Sequence, residues 1–178
     1  AFLTRGLTIH FLDERDGSEQ TFHFQGGVQS FVRYLNRNRK RLHEPFYVEG
    51  TIEGTSIEVA LQYTEGYAES VFAFANNINT EDGGYHVTGF KTALTKALNN
   101  WGKNNGLLKG SEASLTGNDV REGLTAVINV KLPDPQFEGQ TKAKLGNSDL
   151  KNTVETVVYD HLGYYFDTNP EVAKTILE

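Results

Sequence analysis

The chain has 178 residues, enough for one well-buried core with a short attachment, and its 38% hydrophobic and 22% charged residues are typical of a globular protein. No apolar run approaches the roughly 20 residues that span a bilayer, so we expect no membrane partner. A net charge of −6 argues against a protein that binds nucleic acid through its overall charge. The absence of cysteine excludes disulfides, thiol catalysis and cysteine-based zinc sites, and fits the cytoplasmic localisation that we expect.

The N-terminal quarter predicts a β-hairpin followed by a short amphipathic helix. Residues 7–12 and 21–24 have the character of strands, and the polar segment 13–17 is typical of a turn. Gly26-Gly27 ends this pattern, and apolar residues then recur at helical spacing as far as Leu35. Because the sequence starts at Ala1 without an initiator Met, we expect it to be an internal piece of a longer protein.

A basic cluster lies at the end of this predicted helix. Its cations either contact phosphates or belong to a solvated helix end, where positive charge complements the helix dipole, and the residues alone leave both interpretations open. The cluster consists of Arg33, Arg37, Arg39, Lys40 and Arg41.

The middle of the chain predicts three strands and a long helix. Polar and apolar residues alternate over 46–53 and 57–63, as in strands with one wet face, whereas 71–75 is more apolar and is predicted to be central in the sheet. After a polar loop, 76–84, an apolar stripe at helical spacing extends to Trp101. Residues 102–114 are predicted to form another polar loop.

The C-terminal third predicts one more strand and two helices. The strand covers residues 124–132 and is stopped by Pro133-Asp134-Pro135, because proline cannot donate to a β-ladder. Residues 137–147 are predicted to form a polar loop, and Ser148-Asp149 is predicted to cap a helix. Asn169-Pro170 then predicts a further helix start. The order of elements indicates a two-layer α+β domain with helices on one sheet face.

The sequence contains no complete catalytic site. It lacks a phosphate-binding Walker loop and a dinucleotide fingerprint, and Asp82-Gly83-Gly84 is interpreted as a helix start rather than a nucleotide loop. The five histidines lack the spacing of paired metal ligands, so we expect no metal site. Gln140 and Lys142 offer amide and ammonium donors in a polar loop, where function often lies, but the residues alone do not identify their role.

Several segments, in the right order, resemble the gyrase B family of bacterial type IIA DNA topoisomerases, and in particular its transducer domain. The most specific match is 130–142, in which Pro133-Asp134-Pro135 is followed by Gln140-Thr141-Lys142 at the spacing of the family's transducer loop. Tyr85 departs from the threonine that is frequent in the family, and Lys91 stands where arginine is also found. The other matching segments are 23–27, 34–36, 58–63, 74–79, 83–91 and 118–124.

The resemblance implies a ribosomal-protein or GHMP-kinase-like α+β fold, with a mixed four-stranded sheet, helices on one face and a left-handed βαβ crossover, which is a rare handedness. An N-terminal β-hairpin precedes this domain. By the same resemblance, residues 1–25 are the terminal hairpin of an upstream GHKL-type ATPase domain, 26–168 are the transducer domain, and 169–178 begin an exiting C-terminal helix.

The resemblance also implies energy coupling during ATP-dependent DNA strand passage and supercoiling. Gln140 and Lys142 correspond to the residues that contact the γ-phosphate of ATP, which the upstream ATPase domain holds with Mg²⁺. The fragment alone is then expected to bind neither and to be inactive. Candidate contacts to the DNA duplex are Arg33, Arg37, Lys91 and Lys96.

The expected partners are the upstream ATPase domain, a second gyrase B protomer after ATP binding, the gyrase A protein in an A2B2 assembly, and DNA. Two alternatives remain open: the transducer of a topoisomerase IV B-type subunit, and a non-enzymatic nucleic-acid-binding α+β module that uses the basic cluster. A GHMP-type small-molecule kinase is disfavoured, because the sequence lacks the glycine- and serine-containing phosphate loop of such kinases.

Overall fold

The computed structural model describes residues 1–110 and 114–178. The order of elements agrees with the sequence-based prediction, and three two-residue strands and a 3₁₀ turn are added to it. In chain order the elements are β1 (Thr8–Asp13), β2 (Ser18–His23), α1 (Gly27–Leu35), β3 (Phe46–Ile52), β4 (Thr55–Tyr63), β5 (Ser70–Ala75), β6 (Ile78–Asn79), α2 (Tyr85–Asn104), a 3₁₀ turn (Asp119–Arg121), β7 (Leu124–Lys131), β8 (Phe137–Glu138), β9 (Lys144–Leu145), α3 (Leu150–Thr168) and α4 (Pro170–Leu177).

The main sheet is mixed and has the order β3-β4-β7-β5-β6. β5 runs parallel to β7, so α2 lies in the connection between two parallel neighbours, and the other pairs are antiparallel. The predicted four strands become five, because the two-residue β6 folds back onto Phe74 and Ala75. The prediction that 71–75 is the central strand is wrong: β7 occupies the centre, and seven of its eight residues are buried.

Helices cover both faces of this sheet, which corrects the prediction of helices on one face only. α2 and α3 pack together over the main core, which includes Leu61 and Ile128. α1 packs against β4 and β7 through a separate cluster that contains Ala60 and Val127. Because successive residues of a strand point to opposite faces, these neighbouring positions place α1 on the other side of the sheet.

The helix ends differ from prediction in two places. α2 continues through Asn104, three residues into the predicted loop 102–114, and positions 111–113 of that predicted loop lie outside the described residues. Asp149 precedes α3, but no side chain caps this helix; instead, the backbone N–H of Leu150 donates to the carbonyl of Asn147 at 3.2 Å. α4 begins at Pro170 as predicted and packs back against α2 and α3.

The N-terminal hairpin forms its own two-stranded antiparallel sheet, separate from the main sheet. Every residue of β1 and β2 except Asp13 is exposed. Contacts with the rest of the chain include the ring of Phe2, which stacks on Phe24 at 3.7 Å and on Phe31 of α1 at 4.7 Å between ring centroids, and Arg5, whose guanidinium lies 4.8 Å from the centroid of the Tyr47 ring. None of the described helices is both long and apolar enough to cross a bilayer.

Candidate functional site

The segment 137–147, which was predicted to be an irregular polar loop, is a short β-hairpin. Phe137 pairs with Leu145 and Glu138 pairs with Lys144, and the two charged side chains form an ion pair of 3.0 Å. Two strands of two residues each are too short to produce a periodic sequence pattern, which explains why the prediction missed them. The hairpin presents residues 139–143 at its tip, beyond the end of the central strand β7.

Both candidate phosphate-contacting residues lie at this tip and are exposed. The ammonium of Lys142 is 5.8 Å from the centroid of the Phe137 ring, and none of the ion pairs formed by the described residues includes it. The backbone of Lys142 has a φ of 55°, a left-handed conformation that is uncommon for a residue other than glycine. The tip therefore offers an ammonium group and the Gln140 amide to an acceptor outside this part of the chain.

The four candidate DNA contacts do not form one patch. Arg33 belongs to α1 and Arg37 lies in the turn directly after it, whereas Lys91 and Lys96 belong to α2 on the opposite side of the sheet. Among the described residues, acidic partners are found for three of the four: Glu44 lies 3.4 Å from Arg33, Glu69 lies 2.7 Å from Lys91, and Glu155 pairs with Lys96. The guanidinium of Arg37 instead lies 4.1 Å from the centroid of the Tyr34 ring.

Glu69 holds two cations at once at the sheet end near α2. It lies 2.7 Å from the Lys91 ammonium and 3.0 Å from the guanidinium of Arg121. Burial alone would raise the pKa of Glu69, but hydrogen bonds and charge from the two cations together lower the pKa below its ordinary value. The Lys91 charge is therefore largely satisfied within the domain.

Of the remaining members of the basic cluster, two contact neighbouring side chains and one is exposed. Arg39 donates to the hydroxyls of Ser70 and Thr125 at 3.4 and 3.3 Å, so it contributes to the structure where α1 meets the sheet. Lys40 forms an ion pair with Glu65, and Arg41 is exposed. Below Arg39 lies a buried polar network that the sequence did not reveal, in which Asn36 bonds both Gln62 and Thr125.

A buried histidine at the start of α2 was also missed. His86 is fully buried, and its Nε2 lies 3.0 Å from the Thr80 hydroxyl, which in turn donates to the carbonyl of Ala73 at 2.9 Å. Its Nδ1 has no hydrogen-bond partner among the described residues. Burial lowers the pKa of His86 to about 4. No group of three or more His, Cys, Asp or Glu side chains in 1–110 and 114–178 could hold a metal ion.

Related proteins share nearly the whole of this chain. The DNA gyrase B protein of Archaeoglobus fulgidus is 56% identical over 177 residues, which cover 99% of this chain and 28% of that protein. The corresponding protein of Clostridium acetobutylicum is 49% identical over 180 residues and is covered to 28% of its length. The chain thus spans a little over a quarter of the length of these relatives.

Solved structures show the same arrangement. The 43K ATPase domain of Thermus thermophilus gyrase B, in complex with an aminocoumarin, is 42% identical with a TM-score of 0.87, covering 99% of this chain and 48% of that one. The topoisomerase IV ATP-binding domain of Francisella tularensis is 31% identical with a TM-score of 0.81, covering 99% of this chain and 47% of that one. A family model described as DNA gyrase B matches residues 27–178. This match covers all the described elements from α1 to α4, and the chain therefore belongs to the DNA gyrase B family.

Proposed function

We propose that this chain is the energy-coupling part of an ATP-dependent type IIA DNA topoisomerase. In this proposal, Gln140 and Lys142 contact the γ-phosphate of ATP bound in an upstream ATPase domain, and the resulting domain rotation is relayed toward the DNA gate during strand passage and supercoiling. Membership of the gyrase B family supports the general role. The observation that carries the γ-phosphate role is the exposed Lys142 ammonium, which takes part in none of the ion pairs of the described residues.

The chemistry of the tip suits a terminal phosphate. An ammonium supplies three donors and a positive charge, and an amide supplies two neutral donors, so together they match an anionic group rich in acceptor oxygens. ADP lacks this group, so the contact distinguishes substrate from product. Mg²⁺, by contrast, is bound through oxygen ligands, which these nitrogen donors do not supply, so we assign the metal to the upstream domain together with the rest of the nucleotide pocket.

The energy available from the loop limits its role. A hydrogen bond to a charged group contributes about 1.5–3 kcal/mol net, whereas moving a two-state equilibrium from 1:99 to 99:1 takes about 5.5 kcal/mol. Association of two gyrase B protomers after ATP binding is proposed to supply the remainder. Assembly with the gyrase A protein and a DNA duplex belongs to the same proposal, and a topoisomerase IV B-type subunit would assemble in the same way.

The proposed domain limits follow the observed elements. We assign residues 1–25 to the upstream ATPase domain, because the hairpin is a separate sheet and the family model begins at residue 27. Residues 26–168 form the transducer. We assign residues 169–178 to the start of an exiting helix; within this chain α4 still packs against α2 and α3, and the change of direction occurs at Asn169, where φ is −131° and ψ is 61°.

Substitution of Lys142 in the full-length protein tests the γ-phosphate role. We expect Lys142→Ala to reduce the ATPase rate by orders of magnitude, since a positioned cation stabilises developing negative charge. The same change in the 178-residue chain should alter the free energy of unfolding by no more than about 0.5 kcal/mol, because the side chain is exposed. Gln140→Ala should have a smaller effect on the rate, because a neutral donor forms the weaker bond.

Lys103→Ala, which removes another exposed lysine near the distant end of α2, is the matched control and should hydrolyse ATP at the wild-type rate. A folded Lys142→Ala enzyme that also hydrolyses ATP at the wild-type rate would contradict the proposal. The 178-residue chain by itself should show neither ATP binding in calorimetry nor hydrolysis. Micromolar ATP binding that is lost in Lys142→Ala would place the nucleotide pocket in this chain instead.

A further inference from the structure

The hairpin that carries Lys142 is fastened at its base by one side chain. The Oδ1 of Asn147 accepts a hydrogen bond from the backbone N–H of Gln136 at 2.7 Å, and its Nδ2 donates to the carbonyl of Asp134 at 3.1 Å. Next to it, the backbone N–H of Gly146 donates to the carbonyl of Gln136 at 2.6 Å. A single amide therefore joins the two ends of the hairpin just below its short ladder.

The returning strand of the hairpin is also fastened to the beginning of α2. The N–H of Asp82 donates to the carbonyl of Ala143 at 2.9 Å, and the N–H of Leu145 donates to the carbonyl of Gly83 at 3.1 Å. The side chain of Leu145 is fully buried in the main core. Lys142 is thus one residue away from a backbone that is bonded to the segment leading into α2.

This contact requires glycine at position 84. Gly84 forms a parallel bridge with Leu145 and has a φ of 142°, a conformation that residues with a side chain rarely adopt. A Cβ at this position would lie 2.4 Å from the carbonyl oxygen of Leu145 and 2.9 Å from its nitrogen. Any other residue would therefore push the returning strand away from α2.

The same corner also holds α3. Asn147 lies three residues before the first residue of α3, and a Cβ at Gly89 of α2 would lie 2.3 Å from the carbonyl oxygen of Lys151, so the two helices approach closely here. The hairpin, the beginning of α2 and the beginning of α3 therefore meet at one point, so a displacement of the hairpin would have to be accommodated by both helices.

We propose that Asn147 is a positioning residue for Lys142, and that Asn147 and Gly84 together fix the hairpin to the beginning of α2. This inference rests on the proposed γ-phosphate role of Lys142. The Asn147 side chain does not touch the phosphate; it sets the direction in which the tip projects. A misplacement of about 1 Å at a reacting group costs about a hundredfold in rate, so a loosened base weakens the action of an intact lysine.

The test compares Asn147→Ala and Lys142→Ala in the full-length protein, as single and double variants. We expect Asn147→Ala to lower the ATPase rate by about ten- to a hundredfold. The affinity for ADP should stay unchanged, because ADP has no γ-phosphate for the tip to contact. The double variant should be no slower than Lys142→Ala alone, since a positioning residue has nothing left to position. Asn105→Ala, which removes an amide bonded to Trp101 at the other end of α2, is the matched control and should retain the wild-type rate.

A second variant addresses the contact with α2. Gly84→Ala should also lower the ATPase rate, and combining it with Lys142→Ala should give no further loss. If Gly84→Ala fails to fold, Asn147→Ala still decides the proposal. The Gln136 N–H and the Asp134 carbonyl, which lose their partner in Asn147→Ala, lie at exposed positions and can bond water. The positioning role alone would be overturned if the rate losses of the two single variants multiply in the double variant. It would also be overturned if Asn147→Ala keeps the wild-type rate while Lys142→Ala is slow. A wild-type rate in Lys142→Ala would instead overturn the γ-phosphate role on which it rests.

Discussion

His86 is a buried titratable residue whose protonation is opposed by its surroundings. Its ring is fully buried two positions after Gly84, and its Nε2 is held by the Thr80 hydroxyl. Because this hydroxyl donates its hydrogen bond to the Ala73 carbonyl, it accepts a hydrogen bond from the Nε2–H of His86, and Nδ1 is left as a buried acceptor without a partner among the described residues. A second proton on the ring would add an unpaired buried charge beside the corner that carries the hairpin.

The lowered pKa of His86 predicts a loss of stability in mildly acidic solution. Since the pKa is about 4 in the folded chain and about 6.5 when unfolded, the unfolded state binds the additional proton between these values. The free energy of unfolding should therefore fall as the pH falls through this window. The slope should be about 1.4 kcal/mol per pH unit once the pH is below the pKa of the unfolded state. His43, whose pKa is lowered by burial, contributes in the same direction.

Urea unfolding of the chain at pH 7, 6 and 5 measures this effect. His86→Gln cannot take up the proton, so its free energy of unfolding should fall less steeply than that of the wild type over the same range, whatever its stability at pH 7. The contribution of His43 remains in the variant. Equal slopes for the two proteins would show that His86 is protonated equally in the folded and unfolded states, contrary to its burial.

At the scale of elements, the separate hairpin β1–β2 has one apolar face that nothing in the described chain covers. Ile9 pairs with Phe22 on this face, and Phe11 lies two residues further along, with exposed fractions of 40%, 38% and 53%. The other face carries polar cross-strand bonds such as Thr8 to His23. A two-stranded ribbon is marginally stable by itself, so contacts with the main domain, among them the Phe2 stack, are expected to keep it ordered.

Phe2→Ala should loosen the hairpin without unfolding the main sheet. Stacked aromatic pairs contribute about 0.5–1.5 kcal/mol beyond the burial of their area, and Phe2 stacks on two rings at once. Hydrogen exchange of the backbone amides in 8–23 should accelerate, while exchange in β7 stays at the wild-type rate. Phe11→Ser is the control: it removes an exposed ring from the apolar face and should leave exchange in the hairpin unchanged. Unchanged exchange in Phe2→Ala would mean that other contacts hold the hairpin.

The long elements could be predicted from the sequence, because their apolar stripes are long enough to be periodic. The short strands β6, β8 and β9 could not be predicted. Each contains two residues, and its formation depends on pairing with another part of the chain. The position of α1 was missed for a different reason. Along β7, polar residues occupy the positions that face away from the main core, except at Val127. This apolar residue among polar ones was the available signal that a helix covers the second face of the sheet.

For the molecule as a whole, the resemblance to the gyrase B family predicted both the family and the two candidate residues at the tip of hairpin 137–147. The structure adds the contacts that hold the base of this hairpin. Gln140 and Lys142 have no distinguishing local pattern, because an exposed amide and lysine are ordinary on any surface. The role of Asn147 depends on which backbone groups come near it, and therefore on the closed hairpin rather than on neighbouring residues in the chain. Sequence alone could not reveal such a contact.

The distribution of charge over the whole molecule determines how DNA can meet this domain. Because α1 and α2 lie on opposite sides of the sheet, Arg33 in α1 and Arg37 just after it form one candidate site, the α1 pair, and Lys91 and Lys96 form another, the α2 pair. Both members of the α2 pair have carboxylate partners, Glu69 and Glu155, which would have to be exchanged for phosphates, whereas in the α1 pair Arg33 is paired with Glu44 and Arg37 stacks on Tyr34. We therefore expect the α1 pair to contribute more to DNA binding, with Arg37 foremost.

Two matched double variants of the full-length protein test this expectation: Arg33→Ala with Arg37→Ala, and Lys91→Ala with Lys96→Ala. Each removes two positive charges, so a difference between them reports position rather than net charge. The α1 variant should show the larger loss of DNA-stimulated ATPase activity, and the slope of log affinity against log salt should fall by about 0.9 for each phosphate contact removed. The loss should be the same for DNA of any sequence, because phosphate contacts carry no base information.

Wild-type DNA stimulation in the combined quadruple variant would rule out both pairs as DNA contacts. An equal loss in the two double variants would instead show that the carboxylates of α2 do not compete with phosphate.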